Sequence, residues 1–109
     1  MHQKRRSLME TYIILMEMTK KGLDEIHKIP AFVESLKDKL KKRNGNLVGF
    51  YKVMGETDYV ALIESPDDKE ALGAVMALGK IGYFTTLTLK GYSMLEMKES
   101  LDIYAEAYK

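Results

Sequence analysis

Residues 54–64, Met-Gly-Glu-Thr-Asp-Tyr-Val-Ala-Leu-Ile-Glu, constrain the fold more than any other stretch of the chain. They read as the end of one strand, a tight polar turn, and a second strand apolar on both faces. Gly55 can take a positive φ without steric cost, and Asp58 stands where the turn hands over to the strand. A strand without alternation is not a strand with one face in water, so this hairpin needs cover on both sides.

The flanking segments supply that cover. Residues 11–19 are β-branched, aromatic and apolar, and too few for a typical helix, which predicts a first strand. Lys20-Lys21-Gly22 is a turn. Residues 23–28 predict one helical turn with Leu23 and Ile26 facing inward. Pro30 suits the start of a longer helix, in which Phe32, Val33, Leu36 and Leu40 recur at helical spacing. Lys37, Lys39, Lys41, Lys42 and Arg43 gather toward its carboxyl end, and Asn44-Gly45 signals its stop. Strands are predicted over 47–54, 59–64 and 83–90. Ser65-Pro66-Asp67-Asp68 predicts a second helix with Ser65 as cap and Pro66 at the first position. Its inner stripe is read as Leu72, Val75 and Met76, with Gly79 ending it. Ser93 with Glu96 forms a capping-box pattern. The last helix then places Met94, Met97, Leu101, Tyr104, Ala105 and Tyr108 on one face.

The resulting order is β-α-β-β-α-β-α. This is an α+β chain of ferredoxin-like βαββαβ plan, with a four-stranded antiparallel sheet and an extra C-terminal helix. Residues 9–109 read as a single domain and residues 1–8 as a flexible basic tail. In this plan two helices cover one sheet face. Strands one and three, the central pair, do not turn polar on the other: Thr11, Ile13, Leu15 and Glu17 share it with Asp58, Val60 and Leu62. An apolar area of that kind is unusual on a monomer. The final helix or the sheet of a second copy can cover it, and the second is the favoured expectation.

Composition narrows the function classes. A net charge of +1 gives no overall pull toward nucleic acid or anionic lipid. The third strand also lacks the cation and aromatic pattern of RNA-binding sheets of similar topology. No apolar run approaches a membrane span. The chain has no cysteine, which excludes disulfides and thiolate metal sites and suits a cytoplasmic protein. His2 and His27 show no metal-ligand spacing, so no metal and no cofactor is expected. No phosphate-binding loop, dinucleotide fingerprint or nucleophile elbow occurs.

Several motifs in order carry a family resemblance: Thr11-Tyr12-Ile13-Ile14-Leu15-Met16, Thr19-Lys20-Lys21-Gly22-Leu23, Pro30, and Met54-Gly55 with Asp58-Tyr59-Val60. Pro66-Asp67-Asp68, Ala77-Leu78-Gly79 with Gly82, and Thr86 with Thr88-Leu89 complete the set. Together they resemble the GYD domain family over roughly 11–95. That resemblance implies a dimeric α+β barrel and therefore a homodimer or higher oligomer. In one place the chain departs from the pattern: Thr57 stands where the family signature has tyrosine, with Gly55 and Asp58 kept. The barrel group includes cofactor-independent monooxygenases, haem enzymes and amino-acid-sensing domains, so the fold does not fix an activity.

Four residues are candidates for ligand binding. Asp58 sits at a strand start on the expected dimer face; the competing reading makes it a turn carboxylate that caps backbone amides. Glu17 is an ionisable group in an apolar strand, either a general base or a rim residue beside Lys52 or Lys90. Tyr51 is read as lining a cavity, and Thr88 of the fourth strand completes the set. The function expected is a non-catalytic module that binds a small, partly apolar ligand or serves assembly. The alternative is a cofactor-independent enzyme, monooxygenase-like or isomerase-like, acting on such a molecule in the barrel cavity.

Overall fold

The computed structural model describes residues 9–105; the tail over 1–8 and Tyr108 of the last helix lie outside them. Strand β1 (Glu10–Met18) leads into a short helix α1 (Lys20–Asp24) and a 3-10 turn (Ile26–Lys28). Helix α2 (Ile29–Lys42), strands β2 (Asn46–Lys52) and β3 (Tyr59–Ser65), helix α3 (Asp68–Ile81) and strand β4 (Phe84–Gly91) follow. Helix α4 (Met94–Ile103) ends the described chain. The strands form one sheet in the order β2-β3-β1-β4, with every neighbouring pair antiparallel. This is the ferredoxin-like plan, and β1 and β3 are its central pair.

The core fills the space between one sheet face and helices α2 and α3. Tyr12, Ile14 and Met16 of β1 and Tyr59, Ala61 and Ile63 of β3 are buried there, together with Phe84 of β4. Ile14, Met16, Ile63 and Leu78 are the largest fully buried side chains. Each such side chain stabilises the fold by about 1.5–3 kcal/mol relative to exposure. Phe84 is the aromatic hub, with the rings of Tyr59 and Phe50 at 5.3 and 6.2 Å between centroids. Helix α2 contributes Ile29, Leu36 and Leu40, with Phe32 and Val33 half-buried. It stops as its sequence dictates: Asn44 takes the left-handed conformation (φ 65°) and the Gly45 amide reaches back to the Leu40 carbonyl.

Four expectations are corrected. Leu23 and Ile26 do not face inward; they are exposed, and Gly22 is the buried residue of α1. Gly22 lies so close to the Tyr83 backbone that a Cβ would run into its carbonyl oxygen, which leaves no room beneath α1 for larger side chains. Ser65 does not cap α3. It is the buried last residue of β3 and its hydroxyl donates to the Asp67 carbonyl. Asp67 is the cap, accepting the Glu70 amide at 2.8 Å. Leu72 and Met76 are exposed, and the inner stripe is Ala71, Ala74, Val75 and Leu78. The helix runs through Gly79 and is closed by Gly82 at φ 87°.

Helix α4 starts with the expected capping box. Ser93 accepts the Glu96 amide, and the Glu96 side chain accepts the Ser93 amide. None of its residues is buried, so α4 does not cover the second sheet face of its own chain.

Candidate functional site

The uncovered sheet face is built by strand register. Leu15 of β1 lies between Val60 of β3 and Leu87 of β4, and Tyr51 of β2 extends that row. The next row is Gly49, Leu62, Ile13 and Leu89. A bulge between Leu47 and Gly49 adds Val48 to β2 without a partner. The Tyr51 ring lies over Gly49, so a Cβ there would sit 2.6 Å from it and turn the exposed ring aside. The two rows leave Leu87, Leu89 and Tyr51 exposed and Ile13, Leu15, Val60 and Leu62 half-buried. The face is apolar over its whole middle, as the lack of alternation requires.

At its hairpin end this face sinks into a recess of about 690 Å³. Leu15, Val60 and Leu87 form its floor, and the hairpin from Val53 to Thr57 forms a wall. Glu17, facing Thr85 across the β1–β4 ladder, closes another side. Among the described residues, Glu17 and Glu56 are the ionisable groups of the lining, so the recess is apolar with an acidic rim. Beside it Met54 projects from the hairpin at 99% exposure. A fully exposed methionine is an adaptable apolar contact, and among the described residues nothing covers it.

The wall is pinned to the end of β1. The Thr57 hydroxyl donates to the Met16 carbonyl at 2.9 Å, and the Asp58 amide donates to the same oxygen at 2.9 Å. The Asp58 carboxylate accepts the Met18 amide at 2.8 Å, and its carbonyl accepts the Val53 amide. Thr57 thus serves as a backbone tie between the hairpin and β1.

The four predicted residues are not brought together. Glu17 lines the recess; Asp58 stands behind its wall, bonded to backbone. Tyr51 shares the open face but lies along the row, outside the recess lining. Thr88 pairs with Ile14, a core residue, so its parity puts it on the opposite, helix-covered face. Glu17 does not sit beside Lys52 or Lys90. The Lys52 ammonium donates to the Val53 carbonyl, and Lys90 pairs with Glu10 and Asp68. Among the described residues there is no group of three or more His, Asp or Glu side chains able to hold a metal ion. No helix among them is long and apolar enough to cross a membrane.

Sequence reading missed Met54 and the cluster of Tyr12, Asp68 and Lys90. The Tyr12 hydroxyl donates to Asp68, and Lys90 bridges Asp68 and Glu10 at 3.0 Å each. Burial and then the Asp68 hydrogen bond push the Tyr12 hydroxyl well above its usual range. The hydrogen bonds from Tyr12 and Lys90 hold the Asp68 carboxyl below its usual value. The cluster ties the start of α3 to β1 and β4. Only the register, which sequence does not print, places these residues side by side.

Comparison with known proteins fits this geometry. The GYD domain family model matches residues 12–101. A relative from Thermus thermophilus, the "Glutamine synthetase and cystathionine beta-lyase binding protein", is 27% identical over 90 residues, covering 82% of this chain and 95% of its own. The family match runs from Tyr12 of β1 through the other three strands and the hairpin to Leu101 of the last helix, and so this chain belongs to the GYD domain family.

Proposed function

We propose that this chain is a non-catalytic binding module that pairs with a second copy and then engages a protein partner. The observation that carries this reading is the apolar open face, on which Ile13, Leu15, Val60, Leu62, Leu87 and Leu89 stand in two rows. Two such faces packed together would form an α+β barrel and enclose the two recesses between them. The hairpin and Met54 would stay at the barrel rim, available to another molecule. A small, partly apolar ligand fits the enclosed recess as an accessory to that assembly. The Thermus relative is named for binding two enzymes, which supports a folded enzyme as the partner here and a cytoplasmic setting for the encounter.

The test has two arms. Sedimentation equilibrium of the wild-type chain should give at least a dimer, and Leu15→Lys should abolish the sheet-to-sheet pairing and so lower the mass of the assembly, because a buried unpaired ammonium costs several kcal/mol. A compact wild-type monomer would overturn the reading. Biolayer interferometry against purified glutamine synthetase from the same organism then asks whether the partner is of the proposed kind.

A second reading, cofactor-independent catalysis in the enclosed recess, draws on Glu17 as a carboxylate at an apolar wall. It requires that Glu17→Gln abolish turnover of a molecule retained in the barrel.

A further inference from the structure

The opposite side of the molecule carries a second unfilled surface. Helix α2 rests on β2, and α3 rests on β4 and β3. Between the helices runs a groove of about 470 Å³. Its floor and walls are Leu36 and Leu40 of α2 and Gly73, Ala74 and Ala77 of α3. The small residues on α3 leave the groove open where larger ones would close it. Its rim is basic: Lys39, Arg43 and Lys69 stand against one carboxylate, Glu70. Arg43 and Glu70 neutralise each other in a two-pronged pair at 3.0 and 2.7 Å. Among the described residues Lys39 and Lys69 take part in no ion pair.

Helix α4 has the matching character. It carries three carboxylates, Glu96, Glu99 and Asp102, against one lysine, Lys98, which pairs with Asp102 at 3.1 Å; Glu96 is engaged in the capping box and Glu99 is in no ion pair among the described residues. Met94, Met97, Leu101 and Tyr104 recur at helical spacing along one stripe, and all are exposed. An isolated helix shorter than ~12–15 residues is marginal in water. This one is ten residues long and buries none of them, so its order calls for a surface to rest on.

We infer that α4 of one copy lies in the α2–α3 groove of another copy. The apolar stripe would meet Leu36 and Leu40, and the acidic flanks would meet Lys39 and Lys69. In the structure α4 does not fill the groove of its own chain: none of its residues lines it or is buried, and only Tyr92 separates the end of β4 from the Ser93 cap, which holds the start of α4 beside the end of β4. The groove is on the helix side of the sheet and the open face is on the other. The contact is therefore independent of the sheet-to-sheet pairing and would link such dimers into larger assemblies.

The experiment is sedimentation velocity on full-length chains with charges exchanged. Lys39→Glu with Lys69→Glu reverses the groove; Glu99→Lys with Asp102→Lys reverses the helix. All four sites are exposed, so folding should survive, and circular dichroism checks it. Each double variant alone should weaken the higher assembly roughly tenfold and leave the smaller unit intact. An equimolar mixture of the two should restore it, because each groove then finds a helix of opposite sign. A chain ending at Tyr92, which keeps every core residue buried among the described ones, should show the smaller unit alone. Identical sedimentation of wild type, both variants and the shortened chain would overturn the inference. So would loss on groove reversal without loss on helix reversal, since another occupant would then fill the groove. Leu15→Lys separates this contact from the sheet pairing. That variant should still associate through α4, and stop doing so when the groove is also reversed.

Discussion

The Asp58 carboxylate accepts the Met18 backbone amide at 2.8 Å, just past the Met16–Tyr59 pair that ends the β1–β3 ladder. A side chain thus continues strand pairing where backbone leaves off. Asp58→Ala would leave a half-buried amide unpaired and should lower unfolding free energy by about 2 kcal/mol in urea titration. Asp58→Asn keeps an acceptor and should cost less. If Asn preserves stability but abolishes binding of a retained ligand, the carboxylate serves the ligand as well as the fold.

Gly22→Ala tests the junction between α1 and β4. The new methyl would meet the Tyr83 carbonyl, which is backbone and cannot rotate aside. A loss of roughly 2–3 kcal/mol is expected, as for overpacking in a rigid site. A thermal midpoint unchanged by this substitution would show that α1 can move away freely.

Met54→Ser separates binding from folding. The side chain touches nothing that holds the chain together, so stability should stay within about 0.5 kcal/mol. Affinity for the protein partner should fall, as read by interferometry. Equal affinity would remove the hairpin tip from the interface.

The Tyr12–Asp68–Lys90 cluster sets the pH limits. Asp68 is held below its usual value of 3.8 in the folded chain. Its contribution is therefore present above that value and lost as pH falls through the lower, folded one. Tyr12 is held above its usual value of 10.0, so its contribution is complete below that pH and fades as pH rises toward the folded value. Tyr12→Phe should flatten the alkaline limb of the stability curve and lower neutral stability by about 1 kcal/mol, because the hydrogen bond to Asp68 is lost. An alkaline limb identical to wild type would exclude Tyr12 as its source.

Much of the architecture was legible because it is written locally. The β-branched runs marked the strands, Asn44-Gly45 marked the end of α2, and Ser93 with Glu96 marked the start of α4. The face of α3 was misread because hydrophobicity favoured Leu72 and Met76. The structure instead turns Ala71 and Ala74 inward, where the sheet comes close, so space decided and not apolarity. Pro66 drew the cap to Ser65, although Asp67, the residue just before the helix, offers the better acceptor. Thr88 was assigned without its register, and its pairing with Ile14 puts it across the sheet from Glu17. Met54 gave no periodic signal, since a loop tip belongs to no face. The recess itself depends on how the hairpin folds back onto Met16, a contact between distant parts of the chain.

The unpartnered Val48 in β2 has a consequence for how the molecule avoids fibrous growth. β2 is an outer strand, and such a strand offers free amides and carbonyls to any extended chain that meets it. The extra residue breaks their even spacing partway along and bends the strand. An incoming strand could match the edge on one side of the break but not on both. Sideways templating through β2 is thereby cut short at the bulge.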